Sequence, residues 1–473
     1  MRYRKWLTLL LSVILIVSLA IPVFAEDGSG KIGTNAYWRY DSATHTLTVS
    51  GKGEVNVDTH SQSPWKEHYY GDIRRVVVQE GITALYGEVF SYLPYLAEVR
   101  LPSTLKAMGG DTFCLSGNGS LDIVIPDSVT AIGNAFHASH IRSIKLGKGI
   151  TELGEKAFLA SNVVSVDLCN VKKIGARAFS ECSNLKDIDL SGVTEIGGGA
   201  FSFCGSLTSA DIRNVTILEN STFNSTWLEQ IVLGKNLIQS GTIYAYNFSR
   251  GHLKRVYIYG TLAEWDKLMA RSSRDTNEGL FDAQILPVTF GDVSPLRWSA
   301  PAVYQLAKDG VLGGYGDGSF RPTNQVTRAE FAKMLSMVLP KGKTVPTTSR
   351  SFPDVKESAW YAQYVKTLAD RGIVNGFEDG TFRPNAQITR QDMATMIGRM
   401  VELYGLNLPE KASPVSFKDA GAIAAYAASA VSQMQRVGII NGFEDQTFRP
   451  KEHASREQTA QMIYNLLQAM QYA

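Results

Sequence analysis

The chain has 473 residues, with 47 Lys plus Arg against 45 Asp plus Glu, four Cys and 44% hydrophobic residues. At roughly 100–200 residues per domain, this length predicts two to four folded units. The apolar fraction is that of a globular protein and excludes the disordered, collagen-like and disulfide-scaffold classes. Because the charge is nearly balanced, we expect neither a nucleic-acid nor an anionic-lipid partner, both of which need a basic excess.

Residues 1–25 have the layout of a secretory signal: a basic start, an apolar run over 6–21, and small residues leading to Ala25. We expect cleavage after Ala25. The alternative is an uncleaved membrane anchor, because the run approaches the roughly 18 residues needed to span a bilayer. The segment holds three basic residues, so its removal leaves 44 basic against 45 acidic groups. We expect the mature protein to be exported and to contain no membrane span.

A phenylalanine recurs at spacings of 23, 23, 22, 21, 22 and 22 residues. Its positions are Phe90, Phe113, Phe136, Phe158, Phe179, Phe201 and Phe223. A fixed period of this length is typical of a solenoid of stacked coils. Each coil also carries an L-x-x-I-x-L run, which predicts one short strand per coil, and a turn Gly before Ala-Phe. We expect the Phe rings to stack into a continuous spine and the array to fold as one body.

This segment resembles the bacterial leucine-rich repeats of the BspA type over about seven or eight coils. Its flank "WRYDSATHTLTVSGKGEV" resembles a β-rich N-terminal cap, and "VYIYGTLAEWDKL" resembles a closing coil. We therefore expect a cap over 26–72 and a solenoid over 73–289. Such repeats commonly act as adhesive or recognition surfaces, so the resemblance implies an unidentified protein or glycan ligand.

Three consecutive coils carry an aspartate before the last apolar strand residue, at Asp167, Asp189 and Asp211. Because neighbouring strands lie about 4.8 Å apart, three like charges would form a row along the sheet. One hypothesis is a candidate ligand face for a basic group or a cation. The alternative is a solvated surface relieved by nearby basic side chains.

Cysteine and histidine give weak signals. We interpret the cysteines as small buried apolar residues, with a Cys182–Cys204 disulfide as the alternative. His137 and His140 form the one close histidine pair, but no third ligand is evident in the sequence. We therefore expect no metal site and no cofactor.

A second repeat fills the C-terminal 180 residues. "GVLGGYGDGSFRP", "GIVNGFEDGTFRP" and "GIINGFEDQTFRP" begin at Gly310, Gly372 and Gly438. Helical spacing before each glycine, turn residues within the motif and a second helix after it predict three helix-loop-helix modules. "TRAE" from Thr327 and "SREQ" from Ser455 have the capping-box pattern at the start of that second helix.

An arginine occupies the first position of each second helix, at Arg328, Arg390 and Arg456. A cation is mildly unfavourable there, whereas the free backbone N–H groups favour an anion. An arginine beside them adds a planar fork that matches a carboxylate, which favours a bound acid. The alternative is that these arginines pair with Asp292, Asp354 or Asp419 of a neighbouring loop.

The three modules resemble the S-layer homology family. The resemblance implies a pseudo-threefold bundle that docks non-covalently onto secondary cell-wall polysaccharide and recognises an acidic sugar, such as a pyruvate-ketal-bearing N-acetylmannosamine. We expect the modules at 290–340, 341–405 and 406–473, linkers included. The binding residues carried over by position are Asp292, Trp298, Arg328, Asp354, Trp360, Arg390, Asp419, Tyr426 and Arg456.

The third module departs from this pattern. Tyr426 stands where Trp is expected, Ala420 replaces Val, and Gln446 replaces the turn Gly. We therefore place its pocket in doubt. Two good sites and one weaker site would still bind with avidity, because linked modules act at high effective concentration.

The predicted fold class is an α/β leucine-rich-repeat solenoid with short parallel strands, followed by an all-α region of three modules. The predicted function is that of a secreted cell-surface protein, anchored to wall polysaccharide and displaying the solenoid for recognition or adhesion. One alternative is a structural envelope component without an external ligand. Another is a wall-associated enzyme, although no G-x-S-x-G, P-loop or H-E-x-x-H motif occurs.

Overall fold

The computed structural model describes residues 27–248, 252–411 and 416–471, so the expected secretory signal lies outside the described residues. The chain divides into two compact units. Of the described residues, the first comprises 27–248, 252–254 and 267–283, and the second comprises 255–266, 284–411 and 416–471.

The first unit is built from short strands. They are β1 (Gly28–Lys31), β2 (Ala36–Asp41), β3 (Thr46–Gly51), β4 (Gly53–Val57), β5 (Arg75–Val78), β6 (Ile82–Gly87), β7 (Glu98–Arg100), β8 (Ala107–Met108), β9 (Leu121–Val124), β10 (Ala131–Ile132), β11 (Ile141–Lys145), β12 (Glu152–Leu153), β13 (Ser165–Asp167), β14 (Lys173–Ile174), β15 (Asp187–Ile188), β16 (Glu195–Ile196), β17 (Ser209–Ile212), β18 (Ile217–Leu218), β19 (Gln230–Leu233) and β20 (Thr242–Ile243). Helix α1 (Lys235–Ser240) joins the last two of them, and α2 (Leu262–Met269) and α3 (Glu278–Asp282) come later in the chain.

Each coil of the solenoid contributes two parallel strands. The even-numbered strands from β4 to β20 form one nine-stranded sheet, and β9, β11, β13 and β15 form a second sheet. Strands β1 to β3 form an antiparallel meander, and β3 pairs with β5 in parallel. The prediction of one strand per coil is therefore wrong. From β8 to β20, the second strand of each coil is only two residues long, as in Glu152–Leu153 with one side chain exposed and one buried, so no alternation shows in the sequence.

The predicted phenylalanine spine is confirmed. From Phe90 to Phe223, successive ring centroids lie 5.0–5.5 Å apart, and each ring is buried. In several coils, a small polar side chain three residues after the Phe donates to the preceding coil's backbone. Ser116 bonds to Phe90 O, Cys182 to Phe158 O and Cys204 to Phe179 O. Both cysteines are free thiols in the place of serine, and they are not joined as a disulfide.

Among its described residues, the second unit holds strands β21 (Arg255–Ile258) and β22 (Gln284–Pro287), which pair in parallel, and six α-helices in the three modules. The helices are α4 (Ala300–Lys308) and α5 (Arg328–Met337), α6 (Ala362–Asp370) and α7 (Arg390–Leu403), and α8 (Ala428–Arg436) and α9 (Arg456–Met470).

The modules close into a ring by exchanging helix contacts. Helix α5 packs on α6, α7 packs on α8, and α9 packs back on α4 of the first module. Gly398 permits the close approach of α7 to α8, because an added Cβ would lie 2.8 Å from Ala430 Cβ. Each second helix begins at a hydroxyl N-cap, and the capping boxes predicted at Thr327 and Ser455 are confirmed. This cyclic order gives the pseudo-threefold bundle and brings residues of different modules together.

Within the described residues, none of the helices combines the length and the apolar character that crossing a bilayer requires.

Candidate functional site: three grooves of the helical region

The loop of each module is held by the same hydrogen bonds. Asp317 accepts bonds from the backbone and hydroxyl of Ser319 and from Arg321 Nη2 at 2.9 Å, and the other two loops repeat this pattern. In the third loop, the hydroxyl of Thr447 is the main cause that lowers the pKa of Asp445 to about 2. Gln446 adopts the left-handed conformation of the glycines at its equivalent positions, with φ of 66°, and the loop keeps its bonds.

The loop aspartates Asp292, Asp354 and Asp419 accept hydrogen bonds from backbone N–H groups. Each uses both carboxylate oxygens to accept the N–H groups of the Phe-Arg pair in its own loop, at 2.6–2.9 Å. Among the described residues, they form no ion pair with the arginines at the helix starts; Arg328 and Arg456 instead face Asp392 and Glu330. A structural role therefore accounts for this position, and binding of the polysaccharide by these aspartates stays a prediction.

The three helix-start arginines reach into the loop of the next module. Each is 5–8% exposed, and its Nε donates to a Phe carbonyl at 2.8 Å. Arg328 bonds to Phe382, Arg390 to Phe448 and Arg456 to Phe320. Each guanidinium also lies 4.6–5.0 Å from the centroids of two aromatic rings of that loop. The carbonyl hydrogen bond and the two aromatic rings therefore fix the position of each guanidinium before a ligand binds.

An exposed aromatic residue lies at each groove beside an arginine that comes from a different module. Trp298, Trp360 and Tyr426 are 57%, 58% and 56% exposed. Tyr426 lines the Arg328 groove, of about 550 Å³, with Asn375, Phe377 and Asp392. Trp298 lines the Arg390 groove, of about 170 Å³, with Asn441, Phe443 and Gln458. Trp360 lines the Arg456 groove, of about 240 Å³, with Tyr315, Glu330 and Lys333.

The structure therefore brings together Arg328 with Tyr426, Arg390 with Trp298, and Arg456 with Trp360. Every groove draws residues from all three modules, whereas the order of the motifs along the chain predicts an arginine and an aromatic residue of the same module in each site. The residues in which the third module departs from the repeat pattern belong to two different grooves. Tyr426 belongs to the Arg328 groove, while the loop that contains Gln446 lines the Arg390 groove.

The grooves differ in the residue that faces the arginine. This residue is the third one in the second helix of the following module. Glu330 Oε1 lies 3.1 Å from Arg456 Nη1, and Asp392 Oδ2 lies 3.8 Å from Arg328 Nη1. The same position beside Arg390 holds the uncharged Gln458. Within the described residues, no carboxylate lies within 4.0 Å of Arg390, and burial lowers the pKa of its guanidinium to about 10. Arg390 therefore stays charged at neutral pH, without an acidic partner.

In the Arg328 groove, a second contact engages the carboxylate. The Tyr426 hydroxyl donates to Asp392 Oδ1 at 2.6 Å. Burial, together with this hydrogen bond, raises the pKa of Tyr426 to about 12. Asp392 thus lies between Tyr426 and Arg328 and partly neutralises the cation that a ligand acid would meet.

On the solenoid, the three aspartates of the candidate ligand face have a common structural role. Asp167, Asp189 and Asp211 each accept the backbone N–H two residues on, at 2.9–3.2 Å, which closes a turn at the strand end. Asp211 is also buried against Arg213, whereas Asp167 and Asp189 are exposed. The three aspartates therefore do not present equal negative charge to the solvent, and their binding of a cation or basic ligand stays a prediction.

Glu330, Asp392 and Gln458 are functional candidates that are absent from the site residues predicted from the sequence. The signal was visible, since the residue three after each helix cap differs between the modules. The capping box accounted for Glu330 and Gln458, however, and nothing in the sequence indicated that an arginine of another module lies beside them.

Comparison with known families agrees with the two repeats. The model of the S-layer homology domain matches residues 289–332, 351–394 and 416–460. The model of the BspA type leucine rich repeat region matches residues 66–170 and 169–273.

Similar proteins share only part of their length with this chain. An endoglucanase of Bacillus sp. (strain KSM-635) is 33% identical over 198 residues, which are 41% of this chain and 20% of the endoglucanase. The S-layer protein sap of Bacillus anthracis is 29% identical over 178 residues, 37% of this chain and 21% of that protein. A leucine-rich repeat protein of Bacteroides ovatus is a solved structure with 17% identity and a TM-score of 0.30, covering 48% of this chain and 64% of that one.

Proposed function

We propose that this chain, which carries a BspA-type leucine-rich repeat region and three S-layer homology domains, is held non-covalently on an acidic cell-wall polysaccharide by its three grooves. It is a cell-surface protein, as its S-layer homology domains and its S-layer relative indicate. The observation that carries the proposal is the buried arginine of each groove, fixed beside an exposed aromatic ring of another module.

The chemistry of the grooves suits a charged sugar. A guanidinium binds a carboxylate through two parallel hydrogen bonds, and an aromatic face packs against the apolar face of a sugar ring. Nε of each arginine is bonded to a carbonyl. Nη2 of Arg390 and both Nη groups of Arg456 also donate within the protein, so a ligand acid would meet the N–H groups that are left on the Nη atoms. A sugar that carries a pyruvate ketal would present such a carboxylate on a compact ring.

We expect the three grooves to contribute unequally. Of the described residues that line its groove, Arg390 alone is charged, whereas the basic and acidic residues lining the Arg328 groove balance. The Arg456 groove adds Lys333 to offset Glu330. We therefore assign the tightest binding of an acidic sugar to the Arg390 groove, with the other two adding avidity along the polymer.

Enzymatic activity is not part of this proposal. The two families that match the chain are typically non-catalytic, and the matched regions contain no catalytic domain. The chain matches only a fifth of the endoglucanase, so the activity named for that relative is not carried over.

Retention on purified cell walls tests the anchoring. We expect the full chain to sediment with walls, and to be released when Arg328 and Arg390 are both changed to Ala. Trp298→Ala and Trp360→Ala provide a second test, because these rings are exposed and their removal should leave the melting temperature unchanged. Lys366→Ala, an exposed cation outside the grooves, is the matched control. Unchanged retention in both double variants would refute the site.

For the solenoid, we propose display for protein or glycan recognition. Large aromatic side chains on its C-terminal coils are exposed, with Phe203 at 54%, Trp227 at 56% and Tyr246 at 54%. Aromatic rings at a surface offer contact area to a sugar or protein partner. The full chain should be screened against glycan and protein arrays and imaged for self-assembly. Ordered arrays without a ligand would instead support a structural envelope component.

A further inference from the structure

A second cluster of chemically active side chains lies on the solenoid, outside the three grooves. Asp111, Cys114 and His137 each offer one donor atom, and these atoms lie within 4.8 Å of one another. All three residues are half-buried. They belong to two successive coils, and the anchoring function uses none of them.

The coil geometry dictates this meeting. Cys114 directly follows Phe113, and His137 directly follows Phe136. The two rings stack at 5.5 Å with planes 2° apart, so the residues that follow them occupy equivalent positions on adjacent coils. Asp111 joins them because its carbonyl accepts the N–H of Cys114 at 2.9 Å and closes a tight turn.

A further side chain orients the carboxylate. Asn134 Nδ2 donates to Asp111 Oδ1 at 2.9 Å, and Asn134 Oδ1 accepts the N–H of Gly110 at 3.0 Å. His137 Nδ1 lies 3.1 Å from the same carboxylate oxygen. Asp111 and His137 are thus positioned by the fold, and their side chains lie close to each other and to the thiol of Cys114.

Other coils lack this combination. Among the seven coils from Phe90 to Phe223, the position after the spine phenylalanine holds Cys or His in these two adjacent coils alone. The residues at that position in the other five coils are Ser91, Leu159, Ser180, Ser202 and Asn224. The group therefore does not arise from the repeat itself, since the spine and the turns form without it.

We propose that Asp111, Cys114 and His137 bind a zinc ion, with the fourth coordination position open to water. Thiolate, imidazole and carboxylate are the three protein ligands of Zn²⁺, and bonds of about 2.0–2.3 Å place tetrahedral ligand atoms roughly 3.3–3.8 Å apart. The observed donor atoms lie within 4.8 Å of one another and would have to close to that spacing when a zinc ion binds. Asn134 holds the carboxylate in the way that outer hydrogen bonds hold metal ligands.

This proposal differs from the prediction of no metal site, which rests on the lack of a third partner for His137 and His140 in the sequence. The period of the coil hides the neighbours: Asp111 and Cys114 lie 26 and 23 residues before His137, about one coil away.

Cobalt and zinc titrations of the full chain, reduced with a non-thiol reductant, test the proposal. Co²⁺ should give a thiolate-to-cobalt charge-transfer band that Zn²⁺ abolishes. Cys114→Ser should remove the band, and His137→Ala should weaken Zn²⁺ binding measured by calorimetry. Asn134→Ala should lower the zinc affinity by about tenfold while keeping the band.

Cys169→Ser is the matched control, because Cys169 is an exposed thiol on another coil. It should leave the band and the affinity unchanged. A reduced wild-type chain without the band would overturn the proposal, as would a band that survives Cys114→Ser or disappears in Cys169→Ser.

Discussion

The Arg390 groove and the Arg328 groove share one framework and differ in charge. Both arginines are buried, donate from Nε to a Phe carbonyl at 2.8 Å and lie over two rings of the next loop. Arg328, however, faces Asp392, whereas Arg390 faces Gln458. The repeat thus preserves the position of the cation. What changes is whether an acidic residue neutralises it, and this depends on one position in the first turn of a helix, which holds Asp392 or Gln458.

The largest effect is expected from Arg390→Ala. An ionic hydrogen bond contributes about 1.5–3 kcal/mol, so the affinity for a short acidic wall oligosaccharide should fall roughly 10- to 100-fold. Arg328→Ala should cost less, because Asp392 already opposes that charge. Calorimetry on both variants checks the order.

Arg390→Lys keeps the charge but loses the planar fork, so it should fall between wild type and Arg390→Ala. Melting temperatures separate lost binding from lost folding, since each arginine also holds a loop carbonyl. Equal losses for Arg390→Ala and Arg328→Ala would contradict the proposed difference between the grooves.

A smaller loss is expected from Gln458→Glu. Glutamate preserves the capping box with Ser455, as Glu330 does with Thr327, so the helix should begin unchanged. Its carboxylate would face Arg390 as Glu330 faces Arg456, and would compete with the ligand acid. We expect about 1 kcal/mol, or roughly fivefold weaker binding.

The reciprocal change, Glu330→Gln, should strengthen binding at the Arg456 groove and serves as the matched control. If Gln458→Glu binds as tightly as wild type at an unchanged melting temperature, the charge opposite the arginine does not set the affinity.

The sequence revealed most of the framework and little of the grooves. The Phe90 to Phe223 period predicts the spine because one ring per coil must stack on the next, and hydroxyl caps predict the helix starts. The pairing of Arg390 with Trp298 could not be predicted from the sequence, because it depends on the packing of the third module against the first. Long-range closure is set by packing of whole helices, whereas capping and periodicity are local.

The same limit explains the interpretation of Asp292. A loop aspartate near an arginine motif suggested an ion pair, yet Asp292 accepts the N–H groups of Phe320 and Arg321. Local backbone groups compete effectively for a short carboxylate, and which one prevails depends on the fold of the loop.

The smallest effect tests the comparison from the other side. Asp392→Asn removes the carboxylate opposite Arg328 and should strengthen the Arg328 groove by about 0.5–1 kcal/mol, or roughly two- to fivefold. It is best measured in the Arg390→Ala background, where the tightest groove is absent. Tyr426→Phe is the control: it removes the hydroxyl that bonds to Asp392 and keeps the ring, so it should leave Asp392 opposing Arg328 and yield no gain. A gain from Tyr426→Phe equal to that from Asp392→Asn would place the restraint in the tyrosine hydroxyl rather than in the carboxylate charge.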